Sequence, residues 1–464
     1  MRLARAGYLC MVRHNMQKTT QDGRGETYEG RSNDSRERIP RDVALPGLRL
    51  GRATLLLPAL TTLFMVARSP QLVIHPRMWF EEITWFYPLL VSHGPLYALS
   101  LIYRENYQFL TNIVVYAATL VPVENAAYIT SYAALFFQGV AAYFFGLLIE
   151  AYGIRRWLMV PLAAVWALLP EGYEVFATAT NIQWVCSISV LFILVAPLEK
   201  LSRGQRLFTV SWVLVCGLTG IPSCMLFWAF LIRAFWTRPH SSMHLVIGGI
   251  LLACVVVQVA VLATHETPTS RHFESHIGLL VLPGLLQTAL SPLLGVDISE
   301  VVAGRIKVDP TQKSALIFEV ILVSSSIFLL ALRLAWNSIA SRCILLLLCS
   351  IWIGITLINT FGSIGDPTML ISGLHNGRYF MIGIMCLVLL LTLATASSDP
   401  TARQVATYLV CFLAVMFAGE VVLSPWNWLL YKFGPSWREL VQSCHGVRPC
   451  TVSVFGDWNV TLTQ

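Results

Sequence analysis

Carboxylates and amides set among aromatic residues are the first chemistry this sequence offers. Residues 75–86 read His-Pro-Arg-Met-Trp-Phe-Glu-Glu-Ile-Thr-Trp-Phe, so Glu81 and Glu82 sit side by side between Trp79 and Trp85. A carboxylate in such surroundings can act as a general base or lean toward a divalent metal; a solvated acidic pair is the plain alternative. Residues 169–184 read Leu-Pro-Glu-Gly-Tyr-Glu-Val-Phe-Ala-Thr-Ala-Thr-Asn-Ile-Gln-Trp. Asn181 and Gln183 both donate and accept, which suits hydroxyl-rich ligands such as sugars, and Glu171 and Glu174 add acceptors. Capping of a helix by Thr180 or Asn181 competes with that reading. Residues 372–380 read Ser-Gly-Leu-His-Asn-Gly-Arg-Tyr-Phe, which puts His375, Arg378 and Tyr379 just before an apolar run. A guanidinium is a fork for a phosphate oxyanion, and an arginine snorkelling to lipid headgroups is the simpler account.

The elements that must carry these residues follow from composition. Of 464 residues, 56% are hydrophobic and only 12% charged, and the mean hydropathy is +0.66. Ordinary soluble domains carry about 25% charged residues, so the chain reads as an all-α polytopic membrane protein. That excludes a soluble enzyme with a peripheral anchor, a disulfide-rich secreted domain and a nucleic-acid binder built on the net charge of +7. A span needs about 20 apolar residues, with about 17 tolerable when flanking Arg or Lys snorkels. Eleven segments are expected to cross: 52–68, 126–149, 157–170, 181–198, 207–220, 222–237, 243–264, 315–334, 342–361, 379–397 and 404–424. The bundle is then 52–424, with a first outer loop over 69–125 and a short outer tail over 425–464.

Charge sets the expected sidedness. With the N-terminus inside, the inner loops hold ten basic residues, Arg155, Arg156, Lys200, Arg203 and Arg206 among them, against Glu150, Glu199 and Asp399. The outer loops hold 11 basic against 14 acidic residues, which is the positive-inside asymmetry and puts the C-terminus outside. Phe109 to Val123 would export Arg155, Arg156, Lys200, Arg203 and Arg206 if it crossed, so it is expected to lie as an outer juxtamembrane helix. Ile277 to Val296 contains Pro283, Gly284, Pro292 and Gly295 and reads as a broken or re-entrant outer segment. No paired, interrupted spans of the kind transporters use are visible.

Residues 1–51 are polar and basic, with no apolar stretch of signal-peptide type, and read as a disordered cytoplasmic arm. Met1 to Arg52 carries 11 Lys+Arg against 6 Asp+Glu; such an arm acts as a positive-inside retention signal or touches anionic lipid. Eight of the eleven cysteines lie in apolar runs, where Cys is a small hydrophobe. Cys444 and Cys450 are flanked by polar residues and could pair if the tail faces an oxidising compartment. No Walker loop, GxSxG, HExxH or strand-flanked GxGxxG is present, so nucleotide-driven chemistry is not expected.

Trp79 to Glu82 after the first span, Glu171 to Trp184 running into another, and Gly377 to Phe380 opening a late one together resemble the GT-C class of bacterial multi-pass membrane glycosyltransferases. The strand-like run Val452 to Leu462 around Gly456-Asp457-Trp458 resembles their small extracytoplasmic ending. The resemblance extends over most of the chain from Arg52, on short motifs, and departs from many members in having Glu-Glu where an Asp-containing pair is common. It implies a protein of the bacterial cytoplasmic membrane that uses a polyprenyl-phosphate sugar as donor and a cell-envelope glycan or lipid as acceptor, in contact with membrane lipids and with no nucleic acid. Glu81 or Glu82 would deprotonate the acceptor, Arg378 would hold the departing lipid phosphate, and Asn181 and Gln183 would orient the sugar. A divalent metal remains open on this reading. A lipid-linked glycan or lipid transporter, for which Glu319 and Glu420 are the main acidic candidates within the spans, and a non-catalytic envelope-assembly subunit are the rival functions.

Overall fold

The computed structural model describes residues 51–464, apart from 104–105, 173, 237–241, 265–281, 296–300, 303, 306–312, 339, 341, 362–376, 424–434, 445–449, 456–457 and 463–464. The arm over 1–51, apart from Gly51, lies outside the described residues, as does His375. The described residues form an all-α membrane-protein architecture with two small antiparallel hairpins.

Each expected span contains helix. The long elements are α1 Arg52–Arg68, α2 Phe109–Thr119, α3 Ala126–Ala151, α4 Met159–Ala167, α5 Ile182–Val195, α6 Arg203–Thr219, α7 Phe227–Trp236, α8 Ser242–Thr264, α9 Lys313–Ala335, α10 Arg342–Phe361, α11 Met381–Ala394 and α12 Pro400–Leu423. Among the described residues, five helices are long and apolar enough to cross a bilayer: Val123–Ala151, Ser242–Thr264, Ile317–Ala335, Gly377–Ala394 and Pro400–Leu423. The expected span over 157–170 holds only the nine residues of α4 after a 3₁₀ turn at Arg156–Leu158. It stops short of Pro170, because the residue before a proline is pushed out of the α region. The expected span over 222–237 is likewise split into Ile221–Cys224 and α7. In contrast α6 starts four residues earlier than hydropathy places it, because Ser202 and Gln205 form a reciprocal capping box. Within 277–296 the described part is helical from Leu282 to Leu294 with a π turn at Leu286–Leu290, and all of Leu286 to Leu290 is buried.

Two helices form the interior. Every residue of α11 is buried, as is every residue of α5 except Gln183, and a helix apolar all round is the kind that other helices enclose. α11 packs against α5, α9, α10 and α12, while α1 packs against α3 and α4. The α1–α3 crossing depends on Gly146, where a Cβ would fall 2.8 Å from the Ala53 carbonyl oxygen and 2.9 Å from the Thr54 Cα. Small residues allow this approach between membrane helices. α8, by contrast, leaves Leu245, Val246, Val256 and Val259 more than half or half exposed, a surface that water would not tolerate and lipid does.

Cross-chain hydrogen bonds gather polar groups at two ends. At one, Glu150 takes the backbone N–H groups of Gly51 and Ala53, Tyr152 donates to the Val195 carbonyl at 2.9 Å, and Ser398 N–H donates to the Asn337 carbonyl at 3.2 Å. At the other, the hairpin of β1 Ile102–Tyr103 and β2 Asn106–Tyr107 is clamped by Gln258, which bonds both the N–H and the C=O of Tyr107, at 3.1 and 2.9 Å. The same end holds α13 Trp437–Gln442, whose fully buried Trp437 donates to the Val123 carbonyl at 2.6 Å. The hairpin of β3 Cys450–Phe455 and β4 Trp458–Leu462 follows, and Cys444 is disulfide-bonded to Cys450.

Candidate functional site

Three distant segments meet at the end that carries β1 and β2. The first is the stretch after α1. It turns through a π helix at Glu82–Phe86, a geometry common where a helix is adapted to a task. Adjacent helical residues point about 100° apart, so Glu81 and Glu82 go different ways. Glu82 turns inward and is completely buried. Its carboxylate accepts the backbone N–H of Trp79 at 3.1 Å, of Ala179, and of Thr180 at 3.4 Å, with the Thr130 hydroxyl as a further donor. Burial outweighs those bonds and pushes its carboxyl up to about 7.

The second segment is the loop before α5, which Glu82 holds by its backbone. Thr178 Oγ1 and Asn181 Nδ2 both donate to the Glu174 carbonyl, at 2.7 and 2.8 Å, and Asn181 Nδ2 also reaches Thr178 Oγ1 at 3.2 Å. Between them Ala177 has φ +55°. A left-handed alanine is strained and persists only where its surroundings over-determine it. Asn181 occupies the N-cap position of α5 yet makes no side-chain capping bond. Its amide bonds the loop in place of capping the helix.

The third segment is the 3₁₀ turn Gly377–Phe380 that leads into α11. Arg378 Nη1 lies 3.5 Å from Glu174 Oε2 and 3.4 Å from Asn181 Oδ1. Its guanidinium stands 5.5 Å from the Tyr379 ring centroid, and Tyr379 packs edge-on against Trp184 at 5.1 Å. Glu81 also acts electrostatically on this guanidinium. One oxygen of Glu81, Oε2, is buried with no hydrogen-bond partner. Among the described residues the cluster thus sets the Arg378 guanidinium among two carboxylates, with Glu81 Oε2 free of a hydrogen-bond partner. Such a group can take a proton from a hydroxyl, while the guanidinium can bind an oxyanion.

The other expected site residues fall as follows. Glu174, Asn181, Arg378 and Tyr379 are brought together with Glu81, whereas Glu82 lies behind them as a support. Gln183 Oε1 accepts from Asn106 Nδ2 at 2.8 Å, so it faces the β1–β2 hairpin. Glu171 lies in the 3₁₀ turn Pro170–Gly172, and its side chain is outside the described residues, as is the whole of His375. Cys444 and Cys450 are bonded to each other in the tail. Among the described residues no three His, Cys, Asp or Glu side chains cluster as metal ligands; Glu174 pairs with Arg378.

Arg68 was not among the sequence candidates. It is buried at the end of α1, donates to the Ala167 carbonyl at 2.9 Å and stands 5.5 Å from the Phe176 ring centroid. It thereby ties α1 to the loop that carries Glu174. The signal that singles out Arg378, a cation at the acidic end of a span, applies equally to Arg68.

Comparison with protein-family models, with curated proteins and with solved structures finds no match to this chain.

Proposed function

We propose that the chain is a membrane glycosyltransferase that moves a sugar from a polyprenyl-phosphate donor to a hydroxyl of a cell-envelope glycan or lipid. The observation that carries this reading is the meeting of Glu81, Glu174, Asn181 and Arg378, from three segments up to almost 300 residues apart, with one Glu81 oxygen unpartnered. On this reading the acceptor oxygen attacks the anomeric carbon as its proton passes to Glu81. The bond from that carbon to the phosphate oxygen breaks, and the lipid phosphate leaves with the bonding pair, facing Arg378. Asn181 Oδ1 and Glu174 Oε2 both hold the guanidinium at Nη1, and Tyr379 with Trp184 forms an aromatic wall for the sugar.

The same proposal includes eleven crossings of a bacterial cytoplasmic membrane, the N-terminus inside and the site outside. Charged nucleotide sugars do not cross a bilayer, so an outward site needs a lipid-borne donor. The supporting observation is the clustering of Arg155, Arg156, Lys200, Arg203 and Arg206 near the end opposite the site.

The test is transfer from a synthetic polyprenyl-phosphate sugar in membranes holding the full chain, read by mass spectrometry of the lipid extract. Glu81→Gln is expected to cut product by about 10²–10⁴-fold at unchanged protein level, and Arg378→Ala to do the same. Undiminished product in both variants overturns the proposal.

A further inference from the structure

We propose that a cavity at the opposite end of the bundle, walled by Glu150, Arg155 and Arg156, binds a phosphate-bearing anion, either a lipid headgroup phosphodiester or a soluble phosphate ester. The site is separate from the Glu81–Arg378 cluster and does not depend on the transfer reaction. Only the assignment of a leaflet rests on the sidedness proposed above.

The cavity encloses about 540 Å³, within the roughly 300–1,000 Å³ usual for small-molecule sites. Its shape comes from the way α3 ends. Gly153 has φ +64°, its N–H donates to the Glu150 carbonyl at 3.1 Å, and the N–H of Ile154 donates to the Ile149 carbonyl at 3.0 Å. That pair of bonds is a Schellman motif, which satisfies the last carbonyls of the helix and turns the chain sharply. Ile154 is then buried. Arg155 and Arg156 follow directly and reach the cavity wall.

The one acid of the wall is already engaged. Glu150 Oε2 accepts Gly51 N–H at 3.1 Å, Oε1 accepts Ala53 N–H at 2.8 Å, and the Thr54 hydroxyl lies 3.5 Å from Oε2. Its charge thus serves the positive start of α1. Among the described residues neither Arg155 nor Arg156 makes an ion pair or side-chain hydrogen bond, and both are exposed. Two unpaired guanidinium groups on a fixed turn offer the forked donors that phosphate oxygens fit. The next residue, Trp157, is 51% exposed and Val160 is 50% exposed. An exposed Trp beside apolar surface is typical of the headgroup layer, so the cavity opens where lipid phosphates lie.

The test uses the full chain, purified and placed in nanodiscs of zwitterionic phosphatidylcholine, with defined fractions of phosphatidylglycerol added. Native mass spectrometry reads retained lipid, and calorimetry with glycerol phosphate in detergent reads the soluble source. Wild type is expected to retain phosphatidylglycerol at least tenfold better than Arg155→Gln/Arg156→Gln, while Arg203→Gln, on the same end, leaves retention unchanged. Binding of glycerol phosphate that the double variant abolishes, without selective lipid retention, supports the soluble source. Equal behaviour of wild type and the double variant in both arms overturns the site. Both arginines are exposed, so the variants are expected to fold, and a matching melting temperature checks this. Neither readout involves sugar transfer, so an inactive enzyme with an intact anion site, or the reverse, is told apart.

Discussion

Glu82 holds Ala179: a fully buried carboxylate accepts the backbone N–H of a residue 97 positions along the chain, two beyond the left-handed Ala177. The bond fixes the loop whose Glu174 and Asn181 reach Arg378. A residue next to the proposed base therefore acts on the site as a positioning group.

Glu82 makes stability depend on pH with a definite sign. Its carboxyl is raised from 4.5 to about 7, so the folded chain keeps a proton that the unfolded chain has lost. The resulting stability is fully present below about pH 4.5 and is lost as pH rises through about 7, with an upper limit of about 3 kcal/mol. Thermal unfolding in detergent from pH 4.5 to 8 is expected to show wild type losing stability relative to Glu82→Gln across that window. Parallel curves would remove the effect.

The side chains of Arg378 and Glu174 are 18% and 11% exposed, and Arg378 Nη1 lies 3.5 Å from Glu174 Oε2. A double-mutant cycle of Glu174→Gln and Arg378→Gln on unfolding is expected to give a coupling of about 1 kcal/mol. Additive single changes would mean that the two side chains do not support each other.

Ala177 carries strain that glycine would not. Ala177→Gly is expected to raise stability by roughly 1 kcal/mol or less, and Ala177→Val to lower it by more, since a branched Cβ is worse at positive φ. The melting temperatures of the two variants should fall on opposite sides of wild type. If Ala177→Gly melts lower, the loop is held by something other than this geometry.

The disulfide between Cys444 and Cys450 joins residues only six positions apart, so its loss is expected to cost about 2 kcal/mol at most. With the tail outside, alkylation of the two thiols in intact cells should require prior reduction, and a reporter fused after Gln464 should be active only if exported. Ready labelling of both without reductant would place the tail in a reducing compartment. That would add a crossing and move Arg378 to the inner face.

The sequence by itself determined the class and most of the helices, because hydropathy measures a transfer free energy that each apolar run carries wherever it sits. It also singled out Glu174, Asn181, Arg378 and the acidic pair, since a polar group near a membrane is costly without a task. It overextended the segment before Pro170 and started α6 late, because proline geometry and the Ser202–Gln205 cap act on backbone bonds to which hydropathy is blind. Only the tertiary structure sets the surroundings of Glu81 and Glu82 apart. Their types and surroundings in the chain are the same, and what separates them is a set of N–H donors at Ala179 and Thr180, which exist as partners only once the loop before α5 has packed. The same holds for Arg155 and Arg156: the sequence reads them only as inner-loop charge, while the turn at Gly153 and the capture of Glu150 by α1 leave them facing a cavity with no ion pair among the described residues. Hydrogen bonding depends on distance and direction across the fold, and neither is a property of one stretch of sequence.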